Sequence, residues 1–128
     1  MQIKGTRDRG GYVRNVTIVD CQLLQITIFS AVNYNNDGDP AAEVPTFENF
    51  VFKNIDLSKA STNEPIMDIN GFKETGHRLK NVTFSNINIP ANSTIVINNA
   101  ERVKFVDVKS DNGSNAKYTI TNSDNIIY

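Results

Sequence analysis

The sequence predicts an all-β chain wound into the stacked coils of a parallel β-helix, and three observations support that expectation. The first is a recurring motif. Asn15-Val16-Thr17-Ile18-Val19-Asp20-Cys21 returns as Asn49-Phe50-Val51-Phe52-Lys53-Asn54-Ile55 and as Asn81-Val82-Thr83-Phe84-Ser85-Asn86-Ile87. A looser copy runs Arg102-Val103-Lys104-Phe105-Val106-Asp107-Val108, and a truncated one, Asn125-Ile126-Ile127-Tyr128, ends the sequence. The copies start 34, 32, 21 and 23 residues apart, a periodicity that marks a solenoid. The second observation is alternation: the second and fourth residues of a copy are apolar and the third and fifth mostly polar, as in a strand with one buried face. The third is the sixth residue, Asp20, Asn54, Asn86 or Asp107. Asp and Asn tolerate a left-handed backbone, and the apolar seventh residue turns the chain inward again. The motif therefore reads strand, one-residue corner, strand. An antiparallel sandwich of look-alike strands is the competing architecture, but it needs hairpin turns about every 8–12 residues, and these are scarce here.

Taken in order, the chain opens with Met1 to Gly11, an apolar touch at Ile3 followed by a charged loop closing on Gly10-Gly11. Lys4, Arg7, Arg9 and Arg14 gather positive charge there, with Asp8 the local counter-ion. That run reads either as a solvated loop or as an anion-binding rim whose glycines let the backbone turn tightly. Each motif copy is followed by a second short apolar strand: Gln25 to Phe29, Pro65 to Ile69, Thr94 to Ile97 and Tyr118 to Ile120. Two stretches, near 33–46 and 70–80, are rich in turn formers and read as insertion loops. From Asn81 the coils are tight, broken only by the Ser110 to Asn115 turn. The whole of 1–128 reads as one domain of about four to five coils.

Composition narrows the function. Thirteen basic and 14 acidic residues leave a net charge of −1, which gives no electrostatic footprint for nucleic acid or an anionic membrane surface. No apolar run approaches the roughly 20 residues of a membrane span, and the opening residues do not read as a signal peptide. The single Cys21 takes a position where other copies hold Ile or Val, so it is expected as a small buried hydrophobe. Asn33, Asn35, Asp37 and Gly38 resemble the start of a calcium loop, but Val44 stands where its bidentate Glu belongs, so no metal is expected. His77, the only histidine, is expected as a solvated surface residue. Asn15, Asn81, Asn92 and Asn112 each begin an Asn-x-Ser/Thr triplet, the first two simply as part of the repeat. No pair of close carboxylates appears in a setting that would separate their pKa values for acid/base work.

Two features together resemble a known family. Gln2-Ile3-Lys4, then Arg9-Gly10-Gly11-Tyr12-Val13-Arg14-Asn15-Val16, is similar to the last cleft motif of glycoside hydrolase family 28, the polygalacturonases and related pectinases. That motif is Arg-Ile-Lys, a Gly-rich turn, and a strand opening Asn-Ile/Val. Asn33-Tyr34 stands where the family carries a cleft tyrosine, and Pro45 to Ile55 (PTFENFVFKNI) resembles its C-terminal coils. The resemblance spans essentially this whole chain but only about the last third of a family member.

It implies an all-β, right-handed parallel β-helix that is the C-terminal part of a longer helix. It also implies an extracellular or periplasmic parent that hydrolyses galacturonan with inversion and needs no cofactor. Lys4 would match the lysine that binds the substrate carboxylate and Tyr34 the cleft tyrosine, with Arg7 and Arg9 as further substrate-binding cations. Gln2 stands in place of arginine, replacing a bidentate guanidinium with a neutral amide. The family's Asn-Thr-Asp, Asp-Asp and Gly-His-Gly motifs are absent from these 128 residues, so no catalytic residue is expected in the chain itself. The alternative is a non-catalytic β-solenoid with a structural or glycan-binding role. A first coil with no neighbour before it is expected to expose strand edges, covered by self-association or by a rearranged N-terminal segment.

Overall fold

The computed structural model describes residues 1–31, 39 and 41–128. Among these residues the chain forms ten strands and no helix, and so no helix long and apolar enough to cross a membrane. The strands are β1 (Gln2–Thr6), β2 (Tyr12–Gln22), β3 (Ile26–Ala31), β4 (Thr46–Asp56) and β5 (Met67–Asn70). They continue as β6 (Leu79–Ile89), β7 (Thr94–Asn98), β8 (Ala100–Ser110), β9 (Lys117–Thr121) and β10 (Asp124–Ile127). Odd-numbered strands build one five-stranded sheet and even-numbered strands the other, each in chain order. Every pairing is parallel. Parallel neighbours need a crossover between them, and here each crossover runs through the opposite sheet. The chain thus advances one coil with every pair of strands, an arrangement consistent with a β-solenoid.

The corner expected at the sixth motif position is present. Asp20, Asn54, Asn86 and Asp107 have φ of 55°, 55°, 55° and 53°, in the left-handed region. The first position, expected as the start of a straight strand, is a second bend. Asn15, Asn49, Asn81, Arg102 and Asn125 have φ of 59°, 63°, 59°, 55° and 55°. At each bend two successive side chains face outward, Glu48 with Asn49 and Lys53 with Asn54, and inward alternation then resumes. Phe47, Phe50, Phe52, Ile55 and Leu57 are consequently all buried although their spacing is not uniformly two.

Both bend columns are tied by side-chain ladders. Asn49 Nδ2 donates to Asn15 Oδ1 (3.1 Å), Asn81 Nδ2 to Asn49 Oδ1 (3.0 Å), and Arg102 Nε to Asn81 Oδ1 (2.7 Å). In the second column Asn54 Nδ2 donates to Asp20 Oδ1 (2.8 Å) and Asn86 Nδ2 to Asn54 Oδ1 (2.9 Å). Every donor points back to the preceding coil.

The core lies between the sheets as stacked columns. Ile3, Ile28, Ile69, Ile97 and Ile120 succeed one another in register. Phe52, Phe84 and Phe105 stack face to face with centroids 4.9 Å apart at both steps. Such offset pairs add about 0.5–1.5 kcal/mol beyond area burial. Cys21 departs from its expected full burial. It packs on the core but stays half-buried because β2 is the outer strand of its sheet.

The ladders yield a stability test. Asn54→Ala removes one bond on each side and places a β-carbon-bearing residue without a compensating side chain at φ 55°, which should cost about 1–2 kcal/mol. Asp107→Asn should act oppositely, because an ionised Asp107 has no proton to donate to Asn86 Oδ1, its neighbour in the column. Urea denaturation should show a lower midpoint for the first variant and a higher one for the second, at unchanged slope.

Candidate functional site

The site residues named from the sequence lie on β1 and the loop that follows it. In β1, Ile3 is buried and Lys4 exposed, as alternation requires, and Gly5 breaks the pattern so that Thr6 is buried again. The reason is close approach: a β-carbon on Gly5 would lie 2.5 Å from Phe47 Cζ. The chain then turns, with Arg9 N donating to Thr6 O (3.2 Å), and passes through Gly10 and Gly11 at φ 62° and 73°. Two backbone bonds moor this loop to the next coil, Ala41 N to Asp8 O (2.7 Å) and Thr46 N to Gly11 O (3.0 Å). The Gly-rich turn is therefore a fixed rim beside the sheet.

Lys4 and Arg9 come together on that rim. They border one open cleft of about 220 Å³, with Thr6 and Tyr12 beside them and Phe47 at its base. That is below the roughly 300–1,000 Å³ of drug-sized sites, so it suits a small charged group or a single ring. Lys4 Nζ also lies 5.9 Å from the centroid of Phe29, its neighbour in register. Tyr12 is largely exposed and carries the Arg14 guanidinium 3.9 Å above its ring. Thr6 Oγ1 is buried and has no hydrogen-bond partner among the described residues. The cleft therefore combines two cations and one aromatic face, a set suited to an anionic polar ligand.

Arg7 is held elsewhere. Its guanidinium pairs with Glu74 from the loop between β5 and β6. Burial raises the Glu74 carboxyl, but hydrogen bonds from Arg7 and the backbone, with the charges of Arg7 and Lys73, outweigh it and hold the group below its usual 4.5. Tyr34 and the calcium-like residues Asn33, Asn35, Asp37 and Gly38 lie outside the described residues. Among the described residues no group of three or more His, Cys, Asp or Glu is placed to hold a metal ion.

His77 corrects the expectation of a solvated residue. Its Nδ1 lies 3.4 Å from Thr46 Oγ1 and its Nε2 3.4 Å from Glu43 Oε2, with the side chain 21% exposed. The two loops fold towards one another there, which no local sequence signal shows. Thr6 and Tyr12 were likewise missed as cleft residues. Tyr12 carried a signal in its place between the glycines and Arg14, whereas Thr6 is exposed as a candidate only by its unpartnered burial. Comparison with family models, with curated proteins and with solved structures gives no match.

The Arg7–Glu74 pair predicts an acid-sensitive loop. A carboxyl depressed in the folded state contributes stability above its unfolded value near 4.5 and loses it as pH falls through the lower folded value. Glu74→Gln should lower stability at pH 7 and flatten its decline below about pH 5, read from thermal midpoints across pH.

Proposed function

We propose that this chain is a right-handed parallel β-helix segment corresponding to the C-terminal coils of a polygalacturonase-like pectinase, and that its part in that enzyme is to hold acidic sugar. The observation that supports the reading is the convergence of Lys4 and Arg9 on one cleft beside the Gly10-Gly11 turn, the same residues that carry the family resemblance. The right hand follows from the strong preference of parallel strand crossovers in twisted sheets. A galacturonate carboxylate set between Lys4 Nζ and the Arg9 guanidinium would receive charge-assisted hydrogen bonds from both, each about twice as strong as a neutral one. Tyr12 then offers a flat face against the pyranose ring. Gln2 cannot add the bidentate grip of an arginine, so these residues carry the recognition.

Hydrolysis itself needs a general acid and a carboxylate base placed about 6.5–9.5 Å apart across the bond, supplied in such enzymes by coils upstream of this segment. The 128-residue chain accordingly binds and does not cleave. The parent works outside the cytoplasm, where pectin is found. A non-catalytic glycan-binding solenoid is the second reading, favoured by the exposed Tyr12 with Arg14 stacked on it.

Titration calorimetry with oligogalacturonate decides between them. The chain should bind, and Lys4→Ala or Arg9→Ala should each weaken binding by roughly 10–100-fold, the equivalent of about 1.5–3 kcal/mol. Equal or tighter binding of a neutral oligosaccharide would favour the second reading. Reducing sugar released from polygalacturonate by the purified chain would overturn the assignment of catalysis to upstream coils.

A further inference from the structure

One connection supports the Lys4–Arg9 cleft at three points without bordering it. Residues 71–78 join β5 to β6, and three of their side chains reach the cleft's supports. Phe72 is buried, with its ring 5.5 Å from that of Phe47, the cleft floor, which also fills the space beside Gly5. Glu74 pairs with Arg7, which lies between the cleft residues Thr6 and Arg9. His77 sets Nδ1 3.4 Å from Oγ1 of Thr46, which lies between the cleft residues Pro45 and Phe47. Its Nε2 meets Glu43 Oε2 at the same distance, 3.4 Å. The connection is itself fixed at its base. Gly71 N donates to Asn98 O (3.0 Å), Asn99 Nδ2 to Gly71 O (3.2 Å) and Leu79 N to Asn99 O (3.1 Å). A β-carbon on Gly71 would lie 2.3 Å from Asn99 O, so the approach requires glycine. His77 N then closes the turn on Glu74 O (3.0 Å).

The cleft depends on such support because its two cations are held differently. Lys4 is carried by β1, whereas Arg9 lies in the loop that follows it. That loop is moored by Ala41 N to Asp8 O and by Thr46 N to Gly11 O, so two connections lean on one another. The Arg7–Glu74 pair and the His77 contacts tie both of them to residues 71–78, and through Gly71 and Asn98 to β7. We propose that the 71–78 connection is a positioning element of the cleft, in which Glu74, acting through Arg7, holds Arg9 at a fixed spacing from Lys4. The pair has a second effect. A carboxylate from the chain itself satisfies Arg7, so Lys4 and Arg9 are left as the cations that meet a ligand. The ligand named below rests on the proposed acidic-sugar reading, whereas the brace rests on these contacts alone.

Amide hydrogen exchange of the free chain and calorimetry with oligogalacturonate test the brace and its consequence separately. Glu74→Gln keeps the side-chain shape and removes the charge. In the free chain it should speed exchange of the Arg9 and Ala41 amides about two- to fivefold, the range that a partly exposed ion pair supports. The amides of the interior strands β5 and β7 should be unchanged, since the opening is local. The same variant should weaken oligogalacturonate binding, again by about two- to fivefold. Arg7→Glu and Glu74→Arg should each weaken it too, and the two together should restore it, as a coupled pair requires. Tighter binding by Glu74→Gln would overturn the proposal, because a released Arg7 would then be gripping the ligand itself. Unchanged exchange at Arg9 and Ala41 would overturn it as well, as would equal acceleration in every strand or a swapped pair that binds no better than the single variants. If the unsubstituted chain fails to bind oligogalacturonate while the exchange pattern appears as expected, the brace stands and only the acidic-sugar reading falls.

Discussion

Everything in this molecule depends on the chain bending at the same place in every coil. A parallel stack keeps its strands paired only if each coil has the same outline, and that outline is drawn by the left-handed residues. Position one of the motif bends in five successive coils and position six in four, all with φ between 53° and 63°. An L-residue with a β-carbon pays roughly 1–2 kcal/mol for that conformation, and Asn and Asp reduce the cost by local polar interactions. Stacking adds a second return. Once two asparagines bend at the same column, the amide of one reaches the carbonyl of the other, and each further coil adds another rung. Conformational need and hydrogen bonding thus select the same residue.

Two places break that economy and show its limits. Arg102 occupies an asparagine column at φ 55°, yet it keeps the rung by donating from Nε to Asn81 Oδ1, with a second contact at 3.1 Å between its guanidinium and Glu101. A longer donor replaces the amide while the backbone strain remains. Asp107 keeps the bend but, when ionised, supplies no donor, so its ladder stops at Asn86. Asp20 begins the same column, where an acceptor is all that is required, and receives Asn54 Nδ2. The same side chain completes the ladder at one end and interrupts it at the other, because the ladder has a direction.

Much of the architecture was legible for this reason. A bend repeated in register leaves a repeated Asn or Asp, and a column in the core leaves a repeated apolar residue, so the sixth-position corners, the alternation and the second strands could all be read. The first-position bend was misread because Asn15, Asn49 and Asn81 look like polar residues opening a strand; only their column in space shows that they turn it. Cys21 was read as buried by analogy with Ile55 and Ile87, which lie inside the stack, whereas Cys21 lies on its outer strand. Of the site, Lys4 and Arg9 were legible and do share a cleft. Arg7, equally basic and only two residues from Arg9, is claimed by Glu74, and a partner 67 residues away leaves no local trace. His77 was misjudged for the same reason, since its neighbours are Glu43 from the segment before β4 and Thr46, the first residue of that strand.

The division between repeated and unrepeated sequence also explains where function can lie. Inward positions are fixed by the columns above and below, and bend positions by the ladder, so neither is free to vary without cost. Outward positions within a strand are free, but they project from a nearly flat surface that cannot surround a ligand. What remains are the connections between sheets, the segments whose length varies most from coil to coil. The cleft of Lys4 and Arg9 lies beside one of these, formed where residues 7–11 leave the stack and are moored to the segment before β4. Phe47 at its base and Lys4 on its wall belong to strands of the stack, β4 and β1, whereas Arg9 belongs to the loop. On the proposed reading, recognition comes from an irregular loop that departs from a regular stack, whose rigidity holds Arg9 of the loop beside Lys4 of β1.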